Sequence, residues 1–140
     1  MTETELETIL VLESDILVRH PLAEYLRECG YRVIETSNPD EAREVIESDQ
    51  AAVDILFVSA VGQGDDGGFA LASWARSRRP GLEVVLSAAL KAATEKAADL
   101  CEDGAAPTTP YGHRFLHDRI RRLLATRARA GGQARGLSPG

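Results

Sequence analysis

Short aliphatic, β-branched runs recur along this chain at nearly constant intervals, and that recurrence constrains the fold more than any other feature. The runs are Thr8–Glu13 (TILVLE), Tyr31–Thr36 (YRVIET), Asp54–Ser59 (DILFVS), Leu82–Ser87 (LEVVLS) and a weaker Ala105–Thr108 (AAPT). Each has the length and composition of a strand. They end at residues 13, 36, 59, 87 and 108, so 21 to 28 residues separate successive ends, which is room for a loop, a helix and a second loop. The first, third and fourth are apolar almost throughout, the pattern of parallel strands covered by helices on both faces. With right-handed crossovers, the order predicts an α/β fold: a three-layer (βα)5 doubly wound sheet of five parallel strands.

The intervening segments carry helical periodicity. About Leu17–Cys29, the residues Leu22, Tyr25, Leu26 and Cys29 repeat at i, i+3, i+4 and i+7, with Gly30 as the stop and Pro21 tolerable only near the start. The second helix has the clearest beginning. Asn38 can cap it, Pro39 suits the first helical position, and Asp40 and Glu41 favour the positive end of the helix dipole, while Ala42, Val45 and Ile46 face inward. The third, about Gly68–Arg79, turns Leu71, Trp74 and Ala75 inward and stops at Pro80-Gly81. The fourth, about Ala89–Glu102, offers only Ala93, Ala97, Leu100 and Cys101 to a core and is expected to be the most loosely held. The fifth, about Gly112–Arg127, buries Leu116, Ile120, Leu123 and Leu124 and points Arg119, Arg121 and Arg122 mainly outward.

This divides the chain into an N-terminal lead (1–7), one domain (8–126) and an Arg/Gly-rich tail (127–140) expected to be disordered. A length of 140 residues, 44% of them hydrophobic, suits one domain with a real core. The net charge of −6 is unevenly spread: residues 1–70 hold 16 acids and 4 bases, residues 71–140 hold 6 and 12. An acidic chain of this kind argues against nucleic-acid binding. No apolar run approaches a membrane span and the start is acidic, unlike a signal peptide, so a cytoplasmic location is expected with no membrane partner. Cys29 and Cys101 lie far apart and outside any CxxC spacing. Neither a disulfide nor a zinc site is indicated, and both read as small buried hydrophobes.

A doubly wound sheet binds its ligand outside the carboxyl ends of the strands, at the switch point beside the first strand. The residues to test are therefore Glu13, Ser14, Asp15, Ser59, Ser87 and Thr109. Over about residues 8–125 this pattern resembles a receiver domain of the bacterial response-regulator family, degenerate at its phosphorylation site. ILVLESD supplies Glu13, Ser14 and Asp15 where the family places adjacent acids; ECGYRVIETSNPDEAREVIES is close to the family's second strand and helix. DILFVSAVGQGDDGG puts Ser59 at the phosphoacceptor position, LEVVLSA ends in the switch hydroxyl Ser87, and TTPYG places Thr109 where the lysine belongs, then Pro110 and Tyr111. The resemblance implies the flavodoxin-like receiver topology with strand order 2-1-3-4-5, and a place in two-component, phosphorelay signal transduction.

Phosphoryl transfer from a phosphohistidine needs a carboxylate nucleophile, with Mg²⁺ neutralising the transferring oxygens through further carboxylates. Ser59 is a neutral alcohol with no base evident beside it in the sequence, Thr109 removes a cation, and the acidic cluster falls to Glu13 and Asp15. Any Mg²⁺ binding would be weak and no cofactor is expected. The expected protein is a stand-alone pseudo-receiver, not an enzyme, acting by contact without aspartate phosphorylation. Losing carboxylates relaxes their mutual repulsion, and Ser87 could then bond to Ser59.

Other readings are weaker. Asp54, at the wrong end of its strand, and Asp66, in the following loop, are the alternative acceptors. Gly62–Gly67 matches GxGxxG, as an FMN- or nucleotide-binding relative would require, but it follows the third strand, and Asp65 and Asp66 would repel a pyrophosphate. A serine hydrolase lacks its GxSxG elbow, and His20, His113 and His117 have no sequence relation to Ser59; His113 and His117 share a helix face without a third metal ligand. In resembling proteins the fourth helix, fifth strand and fifth helix form the output face. Here that region carries Tyr111, Arg114, Arg119, Arg121 and Arg122, a basic interface for a histidine kinase, another receiver, an effector or a second copy of the chain.

Overall fold

Four of the five aliphatic runs form strands: β1 (Thr8–Leu12), β2 (Arg32–Thr36), β3 (Ile55–Ser59) and β4 (Glu83–Ser87). They make one parallel sheet in the order β2-β1-β3-β4. The structure, a computed structural model, describes residues 6–48, 52–59, 66–103 and 112–137. The fifth run, Ala105–Thr108, lies outside the described residues, so the expected order is found over its first four members. The helices are α1 (Ile16–Glu28), α2 (Pro39–Glu47), α3 (Asp66–Arg78), α4 (Leu90–Glu102) and α5 (His113–Leu137).

Strand alternation sorts the core into two halves. Ile9, Val11, Ile55 and Phe57 face one side with Val33 and Val85, against Val18, Leu22, Tyr25 and Leu26 of α1. Leu10, Leu12, Leu56 and Val58 face the other with Ile34, Val84 and Leu86, against Ala42 and Ile46 of α2 and Leu71 and Ala75 of α3. β1 and β3 are covered on both sides, as their unbroken apolar runs require. On α3, Gly68 lets the helix lie close to β3: a Cβ there would come within 2.8 Å of the Val58 side chain. Arg43 of α2 stacks over the Trp74 ring of α3, 5.6 Å from its centroid.

The helix starts follow the sequence. Asn38 Oδ1 accepts the Glu41 N–H at 2.9 Å, and Asp15 Oδ1 accepts the Leu17 N–H at 3.0 Å. Gly30, at φ 102°, takes the left-handed conformation just past α1. Pro21 lies buried inside the second turn of α1.

Three expectations are corrected. The first concerns α4. Its sparse, alanine-rich apolar face leads to the expectation of the most loosely held helix. Instead Ala93, Ala97, Leu100 and Cys101 join the α1 half of the core, with Leu116 and Ile120 of α5. The apolar pattern of α4 identified its buried residues but not the face of the sheet they meet.

The second correction is a disulfide: Cys29, just past α1, is bonded to Cys101 near the end of α4. Placing α4 against α1 brings the two cysteines together, and spacing alone could not show that. The bond fastens α4, as does the Tyr31 hydroxyl, which donates to Leu100 O at 2.6 Å. Burial, reinforced by the carboxylates of Glu7, Asp103 and Glu83, pushes that hydroxyl's pKa up to about 12. α4 is thus stapled rather than loose.

The third correction concerns the end of the chain. Helix α5 does not stop near residue 126 but continues to Leu137. Ala125, Arg127, Ala128, Arg129 and Ala130 are strong helix formers, so a segment without apolar periodicity still extends a helix that is already nucleated, past the stop expected near 126. No helix among the described residues is long and apolar enough to cross a membrane.

The cross-link closes a span of 72 residues. Chain-entropy scaling assigns such a loop about 4 kcal/mol of stabilisation. Replacing both cysteines by serine should lower the unfolding free energy by about 2–4 kcal/mol in urea titrations, and intact-mass measurement after alkylation of the unfolded native chain should find no free thiol.

Candidate functional site

Register builds the site. β1 and β3 pair with Leu12 opposite Val58, which sets the next residues, Glu13 and Ser59, side by side at the carboxyl edge of the sheet. Glu13 is fully buried and Ser59 is nearly so. The Ser59 hydroxyl donates to Glu13 Oε1 at 2.6 Å, while Glu13 Oε2 accepts the Asp15 N–H at 2.8 Å and lies 3.5 Å from the Ser14 hydroxyl. The Glu13 backbone is held as well: its N–H donates to Thr36 O and its carbonyl accepts from Arg19. A carboxylate does therefore neighbour Ser59, contrary to the expectation from sequence.

Ser87 stands opposite Ser59 in the β3–β4 register. Its hydroxyl oxygen is buried and has no hydrogen-bond partner among the described residues, so the bond between the two serines that the sequence allowed is not formed.

Asp15 is the other acid of the pocket, and its side chain has two tasks. It caps α1, and it receives both arms of the Arg127 guanidinium, at 2.9 Å on Oδ1 and 2.7 Å on Oδ2. This paired hydrogen bonding from Arg127 is the main reason its pKa lies below the ordinary carboxylate value; it overcomes the opposing effect of burial, with help from the Leu17 N–H. Arg19 extends the network sideways, its Nε donating to Glu35 Oε1 at 3.2 Å. Glu35 also accepts from Arg27 at 3.1 Å and pairs with His20 at 3.2 Å. Burial alone would raise the Glu35 pKa, but His20, Arg27 and Arg19 together bring it below the ordinary value.

These contacts decide whether the pocket suits a divalent cation. Mg²⁺ demands several oxygens in near-octahedral array. Here both Glu13 oxygens accept hydrogen bonds from the chain, both Asp15 oxygens face Arg127, and no three His, Cys, Asp or Glu side chains converge among the described residues. The described residues, so engaged, do not fit such an ion. The two cations that touch this edge, Arg19 and Arg127, are engaged with Glu35 and the Glu13 carbonyl and with Asp15, respectively.

Glu13, Ser14, Asp15, Ser59 and Ser87 thus come together at one sheet edge. Thr109, Pro110 and Tyr111 lie outside the described residues, as do residues 62–65 of the Gly-rich loop. Asp54 sits at the opposite, amino edge, where its Oδ2 accepts the Thr8 N–H at 2.8 Å, and Asp66 opens α3 rather than lying in a loop. On α5, Arg114, Arg121 and Arg122 are exposed, whereas Arg119 is half-buried and paired with Glu24 at 3.4 Å. A shallow groove of about 490 Å³ runs along this helix, lined by Phe115, Arg119, Arg122, Leu123 and Thr126. His20 is exposed, and His117 lies 3.8 Å from Asp118.

Arg127, Arg19 and Glu35 were not singled out from sequence. A signal for Arg127 existed: Leu116, Ile120 and Leu124 step along one face of α5, and Arg127 is the next residue on that face.

No protein-family model and no curated protein sequence matches this chain. Solved structures do. A CheY-like response regulator receiver domain protein from Methanospirillum hungatei JF-1 aligns with a TM-score of 0.54 at 20% identity, covering 90% of this chain and 99% of that one. A response regulator receiver protein from Sinorhizobium medicae WSM419 gives 0.54 at 25% identity over 88% and 98%. The response regulator TrrA from Thermotoga maritima, in complex with Mg²⁺ and BeF, gives 0.53 at 21% identity over 84% and 99%. The chain has the receiver-domain fold.

Folding lowers the pKa of both Asp15 and Glu35, so their protonation favours the unfolded chain. Their contribution to stability should be complete above their ordinary values of 3.8 and 4.5 and should be lost as the pH falls through the lower values of the folded state. Urea midpoints measured across this range should fall on acidification, and Arg127→Ala should flatten the part of the fall that belongs to Asp15.

Proposed function

We propose that this receiver-fold chain is a two-component, phosphorelay-type signalling module that works by protein contact, without phosphorylation of an aspartate. The observation that carries the reading is the 2.6 Å hydrogen bond from the Ser59 hydroxyl to Glu13. Ser59 stands where the resemblance places the phosphoacceptor, and an alcohol there can form neither the acyl phosphate nor the carboxylate–metal contact that the reaction uses. The bond also gives the buried Glu13 carboxyl an internal partner, which leaves Ser87 Oγ as the unpaired buried group of the pocket among the described residues. With Asp15 held by Arg127, the carboxyl edge has the character of a structural joint.

The contact surface in this reading is the exposed side of α5. Arg122 lines a groove with the half-exposed Phe115, and Arg114 and Arg121 are exposed on the same helix, a combination of basic and aromatic groups that serves protein interfaces. A histidine kinase, another receiver or an effector with an acidic docking surface would suit it.

Two measurements test the proposal. After incubation with acetyl phosphate and Mg²⁺, intact mass should be unchanged; a phosphoryl adduct on Asp54, Asp66 or Ser59 would overturn the contact-only reading. Reversing Arg114 and Arg122 to Glu should abolish recovery of the partner in a pull-down while the circular dichroism stays native, and undiminished recovery would remove α5 from the interface.

A further inference from the structure

The outer half of α5 is fastened to the acidic pocket. Up to Leu124 the helix is held by apolar packing, with Leu116 and Ile120 fully buried. Beyond it, Ala125, Thr126, Ala128 and Ala130 are exposed and give the core nothing. Among the described side chains, the last grip on the body of the domain is Arg127, with both guanidinium arms on Asp15.

The geometry of this grip is consistent along the helix. Arg119 meets Glu24 and Arg127 meets Asp15, so α5 advances as its partners on α1 recede. The two helices are antiparallel. Eight residues separate the arginines and nine separate the acids, about 12 Å and about 13.5 Å at helical rise, so the spans match. The contact also continues inward without a break. Arg127 donates to Asp15, the Asp15 N–H donates to Glu13 Oε2, and Glu13 Oε1 accepts from Ser59.

We propose that Arg127 makes the acidic pocket the fastening point of α5, so that occupation of Asp15 by any competing group releases the outer half of that helix. Asp15 then has a second function beside capping α1: it couples the carboxyl edge of the sheet to the helix that carries the basic contact surface. The coupling rests on this geometry and stands apart from the reading of Ser59, because it requires only that the Asp15 carboxylate be free to receive a guanidinium.

Hydrogen exchange on the full chain tests it. Asp15→Asn retains a good cap for α1 but loses the charge, and Arg127→Ala removes an exposed side chain that no core packing depends on. Each should speed exchange of the amides from 124 to 130 by about fivefold, the effect of losing a well-placed surface ion pair, with Leu116 to Ile120 unchanged as the control for folding. The double variant should exchange no faster than either single one, because both remove the same contact. Unchanged outer amides in either single variant, or additive effects in the double, would overturn the proposal. The phosphodonor experiment leaves this outcome untouched, so the two readings fail separately.

Discussion

A carboxylate buried at the end of the central strand is the constraint around which the rest of this molecule is arranged. Glu13 is fully enclosed, and a buried carboxylate without partners costs several kcal/mol. Sheet register supplies Ser59 on one side, the turn into α1 supplies the Asp15 N–H on the other, and the turn in turn sets the direction of the Asp15 side chain. Asp15 so placed is a target for a cation, and α5 provides it. Among the described residues, the Glu13 and Asp15 side chains thus both accept hydrogen bonds from the chain, and the buried Ser87 hydroxyl beside them is left unpaired.

The strands were legible because parallel, doubly covered strands leave long apolar runs, and four of the runs match β1 to β4 within two residues at either end. The site was legible to the same extent, since strand ends define it: Glu13, Ser59 and Ser87 are where run lengths place them. What stayed hidden depends on how elements meet. Cys29 and Cys101 pair because α4 packs on α1, and the face a helix chooses leaves no mark in its own periodicity. Arg127 was hidden because its composition reads as a solvated tail, although its position continues the inward stripe of α5. Arg19 and Glu35 form an ion pair between a helix and a strand, a relation that no local pattern contains.

The uneven charge of the sequence acquires a spatial meaning. The acids of α2, Asp40, Glu41, Glu44 and Glu47, are exposed on one side of the sheet, and Arg114, Arg121, Arg122 and Arg129 of α5 are exposed on the other. Between them Glu13 and Asp15 are engaged internally, by Ser59 and by Arg127. The uneven charge of the two halves of the sequence becomes two opposed surfaces, with the Asp15–Arg127 ion pair between them.

The direction of α5 has a practical consequence for how the molecule can be tethered. Because α5 runs antiparallel to α1, it travels with the strands, and its late turns pass Asp15 at the carboxyl edge. β1 begins at the other pole, where Thr8 meets Asp54. A label on Glu7 before β1 and one on the exposed Thr126 of α5 would therefore report from opposite ends of the domain, and only the second would stand beside the pocket.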